Sequence, residues 1–143
     1  CLLGVECKYS GGSNALPEET IGKLRTQYRL IPVCPETAGG LPTPRDPSER
    51  LGERVVSCRG ADVTVQFKKG AQAALMLAMR YGCSKALMKE HSPSCGSGLI
   101  YDGSFSGKLV EGDGCAAELL KAAGVSVVGE NVTELLTMVC KAE

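Results

Sequence analysis

Apolar side chains recur every three or four residues between positions 64 and 81, with Phe67, Ala71, Ala74, Leu75, Ala78 and Met79 on one face. That period predicts a long helix with this face turned to the core, capped by Thr64 and closed by Gly82. A helix is also expected over residues 16–28, with Pro17 in its first turn and Glu18 and Glu19 at its positive end. Short apolar runs at 30–33, 54–58, 85–89 and 125–128 read as strands, the first broken by Pro32 and ended by Pro35. Asp113 is placed to cap a helix ending at Ala123, with Gly124 behind it. Asn131 and Glu134 form a capping pair for a last helix over 132–141. Between these elements, residues 37–49 carry Gly39, Gly40, Pro42, Pro44 and Pro47 and read as a rigid extended loop. Residues 91–98 form a second loop, rich in Ser, Pro and Gly. Alternating strands and helices predict an α/β class with a mostly parallel sheet, read as a Rossmann-like three-layer fold. Ligands of such folds sit beyond the carboxyl ends of the strands.

A chain of 143 residues is one domain by length, here 1–143, and buries roughly 70% of its unfolded surface without staples. Cys1-Leu2-Leu3-Gly4 reads as the exit from a strand whose body precedes residue 1. Lys and Arg total 16, as do Asp and Glu, so the net charge is zero. That balance argues against a nucleic-acid partner, and 4% aromatics with no Trp argue against a base-stacking platform. No apolar run reaches the length of a membrane span. The expected setting is a bacterial cytoplasm with reduced thiols.

Cysteine changes the picture, because there are eight. The chain is too long and too regular for a disulfide scaffold. Cys1 opens the first loop, Cys34 follows the run 30–33, and Cys95 lies in the loop after 85–89. All three fall on the expected carboxyl edge of the sheet. Cys58, Cys83, Cys115 and Cys140 read as small hydrophobes. Cys7 is the one further cysteine near the first loop. No Cys-x-x-Cys pair exists and His91 is the only histidine, so a zinc finger or ribbon has little support. Three thiolates suit an iron–sulfur cluster that keeps one iron open, a Lewis acid for a soft sulfur donor.

Six ordered motifs then point to a family. Cys1-Leu2-Leu3-Gly4, Tyr9-Ser10-Gly11-Gly12, Pro32-Val33-Cys34-Pro35-Glu36, the run from Gly39-Gly40 to Pro44-Arg45, Ser92-Pro93-Ser94-Cys95-Gly96 and Ile100-Tyr101-Asp102-Gly103 together resemble DUF523, whose members include bacterial thiouracil desulfurases. The resemblance implies a 4Fe-4S cluster on Cys1, Cys34 and Cys95. It implies non-redox removal of sulfur from a thiolated pyrimidine such as 2-thiouracil, the sulfur passing to the open iron. It also implies assisting roles for Glu36 and Ser92. The residues alone are compatible with both: Glu36 is the carboxylate nearest a ligand and suits proton shuttling, and Ser92 suits orienting a substrate. Arg45 is a candidate to hold a pyrimidine carbonyl. Asp102 reads as a turn residue, and His91 as structural.

Two other readings stand beside this one. A cluster-free sulfurtransferase would use one persulfide cysteine, Cys95 being the best placed, and would leave Cys1 and Cys34 unexplained. A metal-binding module without turnover would close its site with a fourth ligand, for which Cys7 is the candidate.

Overall fold

The computed structural model describes residues 1–132. The long amphipathic stretch forms α3 (Thr64–Arg80), burying Phe67, Gly70, Ala71 and Ala74. Met79 is 72% exposed instead of joining that face. At 3.6 residues per turn it lies roughly 100° round the helix from the stripe of Phe67, Ala71, Ala74 and Ala78. Before α3 come α1 (Glu18–Gln27), a single helical turn α2 (Pro35–Ala38), and the strands β1 (Ser48–Leu51) and β2 (Arg54–Ser57). After it come β3 (Lys85–Met88), β4 (Leu99–Tyr101), β5 (Leu109–Glu111), α4 (Cys115–Ala122), β6 (Ser126–Gly129) and a 3-10 turn (Glu130–Val132). The last predicted helix and Cys140 lie outside the described residues.

The strands β3 and β6 pair in parallel, from Lys85 opposite Ser126 to Met88 opposite Gly129. The other two pairs, β1–β2 and β4–β5, are antiparallel hairpins. The described residues thus form a mixed α/β fold with one parallel pair, where the pattern predicts one mostly parallel sheet. β1, β4 and β5 escaped the sequence reading for a physical reason. β1 is Ser-Glu-Arg-Leu and β5 is exposed throughout, so neither carries an apolar period of two. Residues 30–33 form no strand. Pro32 offers no N–H to a ladder, and this segment and β3 border a common cavity instead of pairing.

The core lies where α3, α4 and the parallel pair meet: Ala71, Ala74, Met88, Ala116, Ala117, Leu120 and Val125. The small side chains let α3 and α4 approach closely. Asp113 does not cap α4, whose cap position is Gly114. Its carboxylate instead accepts the Gly98 N–H and the Lys121 ammonium, each at 2.8 Å. The first amides of α4 find other acceptors. Cys115 N–H donates to the Pro93 carbonyl at 2.8 Å, and Ala116 and Ala117 N–H donate to the Ser94 carbonyl. The loop 92–96 is therefore the cap of α4, and this fixes Ser92, Ser94 and Cys95 to the core.

A similar device fixes α2. Gly39 and Gly70 face each other where α2 crosses α3. A Cβ on Gly39 would overlap the Gln66 carbonyl, and one on Gly70 would overlap the Pro35 carbonyl. Backbone-to-backbone contact on both sides leaves no flexible atom to yield. Gly70→Ala is expected to force α2 off α3 at a cost of about 3 kcal/mol, read as a melting temperature lower by roughly 10 °C. An unchanged melting temperature would show that the contact is slack.

Candidate active site

The fold gathers most of the predicted residues around one cavity of about 980 Å³, whose wall includes Cys1, Cys34, Cys95, Glu36, Ser92 and Arg45. At its centre is a residue that sequence reasoning gave no role. Ser94 is 1% exposed. Its hydroxyl donates to Glu36 Oε2 at 2.8 Å, meets the Ser92 hydroxyl at 2.9 Å and lies 3.5 Å from Cys95 Sγ. Ser92 Oγ also accepts the Ser94 and Cys95 N–H groups, at 3.2 and 3.1 Å, so it folds the loop as well as facing the cavity.

Glu36 sits in the first turn of α2, started by Pro35, whose fixed φ suits that position. Its other oxygen accepts Arg45 Nε at 3.1 Å. Arg45, with only 6% of its side chain exposed, spends its remaining bonds on the chain itself. Nη1 donates to the Pro42 carbonyl and Thr43 hydroxyl, both at 3.2 Å, and Nη2 to the Cys7 carbonyl at 3.0 Å. Arg45 is thus placed as a clamp joining the first loop, α2 and residues 42–45. The Pro- and Gly-rich composition of 37–47 is the signal for a stiff loop, but nothing in the sequence says that its arginine turns inward.

Each candidate ligand sulfur has a polar hydrogen beside it. Asn14 Nδ2 donates to Cys1 Sγ at 3.4 Å. Burial acts to raise the Cys34 thiol, but hydrogen bonds from the Thr37 backbone and hydroxyl and the Glu36 amide outweigh it and hold it below its ordinary value. As a thiol, Cys34 donates to the Cys7 carbonyl at 3.8 Å. Burial pushes the Cys95 thiol up to about 12, against hydrogen bonds from Ser94 and Ser92 and with help from the nearby charges of Glu36 and Cys34.

The remaining cysteines divide as follows. Cys7 is buried, and it is its carbonyl that reaches the site. Cys115 packs against the core. Cys83 lies past the end of α3, its N–H bonded to the Ala78 carbonyl at 2.8 Å. Cys58 is exposed, contrary to its reading as a buried thiol. It lies one residue past the end of β2, where the chain turns at Gly60. All seven described cysteines are free.

The donor set fits an iron–sulfur cluster better than a single ion. Among the described residues, no three of His, Cys, Asp and Glu stand close enough to hold one metal ion. A four-iron cube takes its thiolates further apart than one ion does, and it takes sulfur in preference to nitrogen or oxygen. Polar groups beside the sulfurs, Asn14 at Cys1 and Ser94 at Cys95, are of the kind that tune such a cluster.

Ser94→Ala is expected to cost about 2 kcal/mol, since it strips a half-buried carboxylate of a donor. The check is a lower urea midpoint with an unchanged slope.

Comparison with known proteins places the chain in a family. The sequence pattern of the 2-thiouracil desulfurase family matches residues 1–132. The uncharacterized protein YbbK of Bacillus subtilis (strain 168) is 43% identical over 141 residues, covering 92% of each chain. A solved structure described as the [4Fe-4S]-dependent thiouracil desulfidase TudS (DUF523Vcz) matches with a TM-score of 0.93 and 43% identity. The match covers 100% of this chain and 95% of that one.

Proposed function

The chain belongs to the 2-thiouracil desulfurase family, and on that premise we propose that it removes sulfur from a thiolated pyrimidine, with a 4Fe-4S cluster on Cys1, Cys34 and Cys95. The observation that carries this is the full-length likeness to a [4Fe-4S]-dependent thiouracil desulfidase. When bound, the cluster supplies an iron with an open position, a Lewis acid for the thiocarbonyl sulfur.

The chain's own residues supply the rest. Replacing C=S by C=O adds water at the carbon and breaks the C–S bond. Sulfur departs at the oxidation level of sulfide, so no electrons are needed. Two protons move from the water to the departing sulfur. Glu36 takes a proton from the attacking water and returns it as the C–S bond breaks. Arg45 and Ser94 hold its two oxygens, so the carboxylate is oriented before the substrate arrives. In this reading Arg45 is a positioning residue and not a hand on the pyrimidine, because four of its five N–H donors go to Glu36, Pro42, Thr43 and Cys7. Ser92, linked to Glu36 through Ser94, orients the substrate or passes a proton along the hydroxyl pair.

The parallel pair β3–β6 supports a Rossmann-like reading of this part of the chain. No helix among the described residues is long and apolar enough to cross a membrane. The reading is of a cytoplasmic enzyme acting on a small molecule, without a nucleic-acid or membrane partner. A lone persulfide cysteine is disfavoured, because it would leave the other two of Cys1, Cys34 and Cys95 on the cavity wall without a role.

The test is anaerobic purification with iron and sulfide assays, then incubation with 2-thiouracil. The expected result is about four irons per chain and equal release of uracil and sulfide. Iron-free protein with undiminished turnover would overturn the cluster assignment, and no turnover would overturn the activity.

A further inference from the structure

Two non-glycine residues hold a positive φ among those described, His91 at 64° and Phe105 at 56°. A Cβ resists that region, so such residues persist where the surroundings over-determine them, often at functional sites. Both border the cavity that holds the candidate ligands.

Phe105 is fixed by a carboxylate from another element. Glu49, on β1 and 9% exposed, accepts the Gly103 and Phe105 N–H groups on one oxygen, each at 3.0 Å. Gly103, at φ +94°, admits this approach, and a Cβ there would crowd the Leu51 side chain at 3.1 Å. At the tip, the Asp102 carboxylate accepts the Ser104 N–H at 2.9 Å. The Ser104 hydroxyl in turn meets that of Ser106 at 2.6 Å. The connection between β4 and β5 is therefore pinned from beneath and tied at its tip. It holds Phe105 at the cavity, 39% exposed. His91 and Tyr101, which line the same cavity, pack edge to face with ring centres 6.0 Å apart.

We infer that Phe105 is a specificity residue, the apolar platform on which the flat ring of a heteroaromatic substrate stacks, and that Glu49 is the residue that positions it. The inference rests on the desulfurase reading and deepens it. A flat face at the wall selects a ring, whereas sulfur capture and proton transfer demand only a thiocarbonyl. Stacking acts equally on substrate and on the transition state, so its loss raises KM and leaves kcat nearly unchanged. It also needs no sulfur, so uracil should bind the same wall as a competitive inhibitor.

The experiment uses the cluster-loaded protein and its Phe105→Ala, Phe105→Tyr, Glu49→Ala and Glu49→Gln variants. It compares kcat and KM for 2-thiouracil with Ki for uracil, and a saturation-transfer signal on the uracil ring protons reads binding without turnover. Phe105→Ala is expected to raise KM and Ki together, about tenfold, the range of one lost base stack. Phe105→Tyr should restore both. Glu49→Ala should reproduce the loss, and Glu49→Gln, which keeps an acceptor for the two amides, should rescue it. Gly103→Ala, which displaces the loop without touching Glu49, should also raise both constants. If the parent turns over 2-thiouracil while Phe105→Ala leaves KM and Ki within twofold, or lowers kcat alone, the stacking role falls and the desulfurase reading stands. If the parent converts no 2-thiouracil, the reading fails first and takes the inference with it.

Discussion

Cys34→Ala is expected to give a folded protein that binds no iron. Its fold should survive because α2 is held by backbone contact at Gly39 and Gly70, which the thiol does not share. Its cluster should not, because the site has three sulfur donors to spend on a cube of four irons. The same loss is expected of Cys1→Ala and Cys95→Ala. The effect should be near total in each case, seen as loss of protein-bound iron, of acid-labile sulfide and of the visible absorption. Cys58→Ala and Cys83→Ala are the controls and should match the parent. Cys58 is exposed, and Cys83 serves the end of α3 through its backbone. A Cys34→Ala protein with parental iron content would end the three-cysteine assignment. Parental iron in all three variants would leave the metal elsewhere altogether.

That Cys1, Cys34 and Cys95, the candidate ligands, would come to one cavity was legible in the sequence because thiols in stiff, Gly- and Pro-bounded loops have few structural uses. The long helix was legible because seventeen residues give a 3.6-residue period room to declare itself. What connects the ligands was not. Ser94 looked like one of two hydroxyls in a turn, and only the docking of α4 on the loop buries it and aims it at Glu36. Arg45 read as a candidate for a pyrimidine carbonyl, not as a clamp on the chain itself. Its inward turn depends on four acceptors that lie 2, 3, 9 and 38 residues away, and no local pattern encodes the last. Residues 30–33 misled in the opposite sense. Their apolar run reads as a strand, yet a strand is defined by its neighbour, and Pro32 removes one of the donors that would seat it. Short hairpins such as β4–β5, three residues a side, are set by pairing partners and turn geometry, and these too are invisible to a hydrophobic pattern.

Glu36→Ala is expected to keep its iron and lose turnover of 2-thiouracil by about 10²–10⁴-fold, the contribution of a placed proton acceptor and donor. The carboxylate touches the site in two ways, and the variant series separates them. One role is mechanical: Glu36 receives Ser94 on Oε2 and Arg45 on Oε1, and so holds two loops in register. The other is chemical, the transfer of a proton. Glu36→Gln retains a carbonyl oxygen for one of these donors but cannot carry a proton at neutral pH. If the mechanical role dominates, Gln should recover much of the activity that Ala loses. If proton transfer dominates, Gln should be nearly as slow as Ala while its melting temperature returns towards that of the parent. The second pattern is expected. In the proposed reaction the hydrogen-bond network prepares a base, and an amide in the same place would have the scaffold without the chemistry.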